Sequence, residues 1–170
     1  LDAGRKIADL PLSGMPHLGS GITWKRGDRT VMASTNLKAA EVTVIDLADW
    51  SVVKRIPTRG PGFFLRSHEA SRYAFVDSMM SRDARNVLQV IDKETLEVVK
   101  EIVGEPGKTL AHVEFTRDGR YALASVSEDD GAIVVYDTDT LEEVKRLPMR
   151  KPVGKYNVWN KISRDEGTSH

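Results

Sequence analysis

Two histidines and a tyrosine stand out for chemistry because each lies in or directly behind a stretch holding both Gly and Pro. His17 falls within "PLSGMPHLGSG", His112 ends "VGEPGKTLAH", and Tyr156 follows "PMRKPVGK". An imidazole titrates near neutral pH, so either histidine can exchange a proton with a substrate or ligate iron, and the phenol can join the same proton chemistry. A fourth stretch of this kind, "PTRGPG", covers residues 57–62. The four stretches carry Arg59, Lys108, Arg150, Lys151 and Lys155 against one acid, Glu105. Basic side chains converging on a partly desolvated cleft bind carboxylate or phosphate by charge-assisted hydrogen bonds, so the expected ligand is an anion. A solvated loop cation and a hydrogen-bonded structural imidazole are the alternatives for any one of these residues. His68, in "SHEASR", falls in a turn expected on the opposite face and reads as structural, and His170 is terminal.

The elements that hold these stretches are repeats. "VTVIDLADWSVVKRI", "LQVIDKETLEVVKEI" and "IVVYDTDTLEEVKRL" align on Asp46, Asp92 and Asp137, which recur 46 and then 45 residues apart. A propeller blade takes roughly 40–50 residues. Each unit reads as four short strands separated by turns such as "TRDG" and "EDDG". The middle strands are apolar on both faces, and the fourth carries Lys and Glu as a solvent edge does. Taken alone, "TLEVVKEI" and "TLEEVKRL" could pass as amphipathic helical turns, but the equivalent "WSVVKRI" is β-branched and suits a strand. The fold class is therefore all-β: three complete four-stranded blades with flanking strands of a larger ring. "GRKIADL" matches only a fourth strand and "KYNVWN" only a first, so the tail is expected to latch a ring whose other blades precede Leu1. Residues 1–170 are accordingly the C-terminal part of one propeller domain, and the Gly- and Pro-containing stretches are the links that cross one face toward the axis.

Composition narrows the function. With 25 basic and 25 acidic residues the chain has zero net charge, which argues against a general nucleic-acid surface, and no apolar run approaches the roughly 18 residues of a membrane span. The absence of cysteine excludes disulfides, thiolate metal sites and cysteine nucleophiles within these residues. There is no GxSxG, HExxH, EF-hand or Gly-rich phosphate motif, so ordinary hydrolase or kinase chemistry has no support.

The segments "MPHLGSGITW", "FFLRSHEASRYAFVD", "HVEFTRDGRYALAS" and above all "KPVGKYNVWNKISRDEGTSH" resemble the haem d1 propeller of cytochrome cd1-type nitrite reductases and of their haem d1 biosynthesis relatives NirN and NirF. The blade pattern alone also resembles bacterial YVTN-type propellers. The resemblance to the haem d1 family implies an eight-bladed ring in the periplasm that binds haem d1 or dihydro-haem d1, an iron tetrapyrrole with several carboxylates. His17 matches a pocket histidine and is a candidate distal iron ligand, with the proximal ligand expected upstream. His112 and Tyr156 fall where the dehydrogenase branch places residues near the substrate's propionate, and Arg59, Lys108, Arg150 and Lys155 would hold carboxylates. In the reductases a pocket histidine occupies the turn corresponding to "TWKRGDRTV", where this chain has Lys25 and Arg26. The "GTSH" ending fits the biosynthetic branch. There the implied chemistry is removal of two hydrogens from a propionate to give an acrylate, a base taking a proton and the ring or an electron-transfer protein taking electrons. A haem c domain upstream would fit that role. Alternatives are a nitrite reductase forming nitric oxide and a non-enzymatic propeller that binds another protein.

Overall fold

The computed structural model describes residues 4–153, and among these the strands form three four-stranded antiparallel sheets. The first blade is β1 (Ile22–Arg26), β2 (Arg29–Thr35), β3 (Glu41–Asp46) and β4 (Val52–Pro57). The second is β5 (Leu65–Ser67), β6 (Tyr73–Asp77), β7 (Val87–Asp92) and β8 (Val98–Val103). The third is β9 (Leu110–Phe115), β10 (Tyr121–Val126), β11 (Ala132–Asp137) and β12 (Glu143–Pro148). Within each blade the strands lie side by side in chain order, so every connection inside a blade is a hairpin. The segments that could have passed for helical turns are the strands β8 and β12. Among the described residues, no helix is long and apolar enough to cross a membrane.

The recurring aspartate has a local cause. Asp46, Asp92 and Asp137 each end a third strand, and their carboxylates accept hydrogen bonds from the backbone two residues on, at Ala48 (2.8 Å), Glu94 (2.8 Å) and Asp139 (2.9 Å). Their own carbonyls accept from the fourth residue on, Trp50, Leu96 and Leu141, which adopt φ of 61°, 59° and 60°. A left-handed conformation costs a non-glycine residue roughly 1–2 kcal/mol. Burial of the Leu96 and Leu141 side chains offsets that cost.

The cores lie between blades. One apolar cluster joins Ile22, Val31, Val42, Val44 and Ile56 of the first blade to Leu65, Ala74, Val76 and Ile91 of the second. The other joins Phe75, Leu88 and Val90 of the second to Val113, Phe115, Ala124 and Val134 of the third. Alternation along β6 thus sends Ala74 and Val76 one way and Phe75 the other, as a pleated strand buried on both faces requires. The outer strands behave as edges: every residue of β12 is exposed, and β4 and β8 each bury one residue, their other inward positions being half-buried. At the end away from the links, Trp24 Nε1 donates to the Lys93 carbonyl (3.1 Å) and His68 Nε2 to the Arg117 carbonyl (3.1 Å), stapling successive blades.

No strand forms over residues 4–10, where "GRKIADL" was expected to be one. A strand needs a ladder partner, and no described segment pairs with this one. The latch expected over "KYNVWN" lies outside the described residues.

Phe75 is 1% exposed and meets Phe115 edge to face at 5.7 Å across the second interface. Phe75→Ala is expected to destabilise the fold by about 3–5 kcal/mol, read as a lowered urea midpoint with an unchanged m-value.

Candidate functional site

All crossing links emerge at the same end as the loops that follow β2, β6 and β10, and those loops hold the links in place. Asn36, just beyond β2, accepts from the Met15 N–H (2.9 Å) and donates to the Ser13 carbonyl (2.8 Å), while the His17 N–H bonds the Thr35 carbonyl (2.8 Å). The half-buried His17 ring is thereby brought over the second link. Its Nδ1 donates to the Phe63 carbonyl (2.7 Å), which makes Nε2 the lone-pair nitrogen of the neutral ring. Gly62 allows the second link to pass: a Cβ there would lie 2.3 Å from the Asp77 carbonyl oxygen.

Four rings then run in one row. His17 lies 4.1 Å from Phe63, Phe63 4.7 Å from Phe64, and Phe64 4.3 Å from His112, measured between ring centroids. The row joins the starts of all three blades, so His17 and His112 do share one face as the sequence suggested. His112 is buried in β9 with φ of 53°, at a bulge where the pairing with β10 shifts between Leu123 and Ser125. Bulges and left-handed non-glycine residues are costly and cluster at functional sites.

Beneath the row sits Asp77, 1% exposed. Its carboxylate accepts from the Phe63 N–H (2.9 Å), the Phe64 N–H (3.0 Å) and the Met79 N–H (3.1 Å), and the His112 backbone N–H also favours its ionised form. Burial outweighs these bonds and pushes the carboxyl up to about 6. Arg66, 1% exposed, places its guanidinium 5.7 Å from the Phe64 ring centroid and 3.9 Å from the Glu114 carboxylate of the neighbouring inner strand. Neither Asp77 nor Arg66 was singled out from sequence. The available signal was a charge directly after an apolar strand residue, Arg66 behind Leu65 and Asp77 behind Val76.

The basic residues are not a bare cationic rim. Arg59 pairs with Glu101 (3.0 Å), Lys108 with Glu105 (2.7 Å) and Asp130 (2.8 Å), and Arg150 with Asp129 (2.8 Å), which Lys151 also meets (3.2 Å). The β10–β11 loop brings Asp129 and Asp130 to the mouth, and a count confined to the links omits them. Lys155 and Tyr156 lie outside the described residues. His68 accepts from the Ala70 N–H at Nδ1 (3.1 Å) as well as donating at Nε2, a structural imidazole at the opposite end as expected. Lys25 lines a cleft of about 280 Å³ at that same opposite end with Arg72 and Glu94, and Arg26 donates to the Glu94 carbonyl (2.8 Å). The lack of a histidine in that turn therefore does not bear on the mouth.

Two half-buried phenyl faces beside the half-buried His17 ring suit contact with a flat conjugated ligand. The class is a β-propeller whose links and inner strands bring four aromatic rings into one row at one end of the blades. A family model, the Cytochrome D1 heme domain, matches residues 1–161, and the chain belongs to that family. It is 58% identical over 170 residues to the dihydro-heme d1 dehydrogenase of Pseudomonas aeruginosa, covering all of this chain and 34% of that protein. It is 32% identical over 151 residues to Protein NirF of Stutzerimonas stutzeri, covering 89% of this chain and 36% of that one. The solved structure of dihydro-heme d1 dehydrogenase NirN in complex with DHE superimposes with a TM-score of 0.91 at 57% identity, over 95% of this chain and 34% of that one. Hydrazine synthase of Kuenenia stuttgartiensis, at 20% identity and TM-score 0.61 over 71% of this chain and 34% of that one, shares the fold alone. The chain spans about a third of the length of these relatives.

Two outcomes follow from the local chemistry. Asn tolerates a left-handed φ and β-branched residues do not, so His112→Val should be roughly 2 kcal/mol less stable than His112→Asn in denaturant titrations. The folded Asp77 carboxyl holds its proton up to about pH 6, against an ordinary 3.8. Between these values the unfolded chain releases the proton first, so stability falls as pH rises from about 4 to 6. The loss relative to Asp77→Asn should be on the order of 3 kcal/mol, read from urea unfolding at both ends of the window.

Proposed function

We propose that this chain belongs to a haem d1 biosynthesis protein that binds dihydro-haem d1 as substrate at the propeller mouth and converts a propionate side chain to an acrylate. The observation that carries this reading is the row His17, Phe63, Phe64, His112, which sets two imidazoles on one apolar face. The phenyl rings offer dispersion contact to the macrocycle and exclude water from it. His17, whose ring is oriented by the Phe63 carbonyl, is the candidate distal iron ligand. Turning –CH2–CH2– into –CH=CH– releases two protons and two electrons. His112 takes one proton, Tyr156 relays the second to solvent water, and the two electrons pass to an oxidised electron-transfer protein. Arg59, Lys108, Arg150 and Lys155 bind the substrate's carboxylates, the first three by exchanging their present acidic partners for them. A periplasmic setting and an upstream haem c domain complete the reading.

In the whole protein, dihydro-haem d1 supplied with an oxidised acceptor should be converted to a product two hydrogens lighter by mass spectrometry. His112→Gln should slow conversion by about 10²-fold or more while the pigment remains bound. A bound pigment of unchanged mass would refute the dehydrogenase, and nitrite turnover by the reduced protein would move the reading to a reductase.

A further inference from the structure

The two histidine rings come from different blades, and neither holds itself in place. His17 is oriented by the Phe63 carbonyl and His112 packs on the Phe64 ring, so their relation depends on the backbone at residues 63, 64 and 112. One side chain bears on all three points. The Asp77 carboxylate accepts from the N–H groups of Phe63 and Phe64 in the second link and of Met79 in the β6–β7 loop, and the backbone N–H of His112, from the third blade, favours its ionised form. The Asp77 backbone closes the same contact, its N–H donating to the Phe64 carbonyl (3.2 Å).

The fold itself does not require an acid there. Val31, Tyr73 and Tyr121 pair with Asp46, Asp92 and Asp137 respectively. In that shared register the position of Asp77 is held by Thr35 in the first blade and Ser125 in the third. A small hydroxyl therefore suffices at this position near the end of a second strand. The carboxylate is peculiar to the blade that lies between the two imidazoles, and it sits buried where ionisation is costly.

We propose that Asp77 is the positioning residue of the mouth: by holding residues 63, 64 and 79 at one point, its carboxylate fixes the Phe63 carbonyl that orients His17 and the Phe64 ring against which His112 packs, and so sets the two imidazoles relative to each other. It acts through the backbone and does not touch the substrate. Its effect on turnover rests on the dehydrogenase reading above, whereas its effect on the chain does not.

The test uses the whole protein with Asp77→Ser, which substitutes the residue that the third blade carries, and with the isosteric Asp77→Asn. Hydrogen exchange in peptides covering 62–64 and 111–113 should speed up by at least about tenfold in both variants, while β3 and β11 keep their protection. For turnover of dihydro-haem d1, kcat should fall about tenfold or more with KM held within about threefold, because misalignment by a fraction of an ångström acts on the reacting geometry more than on binding. Unchanged protection at both segments, or a loss shared equally by all three blades, would overturn the proposal. If neither variant folds, the unaltered protein decides it: amides 63, 64 and 79 exchanging as fast as exposed loops would refute the role. A wild type that neither binds nor converts the pigment would refute the functional reading and leave the exchange result to judge Asp77.

Discussion

The structure depends on one constraint, the need of strands that are apolar on both faces to bury both. A sheet with one apolar face can rest on a single partner, but β6 sends Ala74 and Val76 toward the first blade and Phe75 toward the third. Only stacking of sheets in sequence satisfies it, and the cores are accordingly interfaces between blades. Stacking also decides where the links go. With four antiparallel strands per blade, each chain passage to the next inner strand must recross the sheet at the same end, so segments far apart in sequence are delivered to one mouth.

Delivery alone would leave the links loose, since they contain few apolar residues to anchor them. Polar side chains near the ends of the strands catch them instead. Asn36 holds the first link, Gln89 accepts from the Arg59 N–H (2.7 Å) of the second, and Glu128 accepts from the Thr109 N–H (2.9 Å) of the third. Each satisfies a partly buried backbone group of its link and so fixes the link's path at the strand ends. The same loops carry the acids that neutralise the basic links, so the mouth owes its character more to rings and backbone geometry than to net charge.

His112 illustrates how the scaffold and the site differ in their demands. A regular inner strand would place it at an ordinary extended φ. The bulge opposite Leu123 to Ser125 turns it instead, and the strain is sustained because flanking residues are locked by Leu110, Val113 and Phe115 in the inter-blade core. Stability is spent where the imidazole must face Phe64.

Much of this was legible in the residues themselves. The repeat of Asp46, Asp92 and Asp137, the two-faced apolar strands and the polar fourth strands fixed the blade count and strand order, because these follow from local turn chemistry and side-chain alternation. The placement of His17 and His112 at one mouth followed from topology. The ion pairs of Arg59, Lys108 and Arg150, the bulge at His112, and the gathering of three segments on Asp77 did not, since they join residues from separate blades whose proximity exists only once the sheets have stacked. Sequence determined which surfaces had to be buried, a matter of periodicity within a few residues; the tertiary structure decided which polar groups then met, because the energy of a buried charge depends on neighbours that no local pattern names.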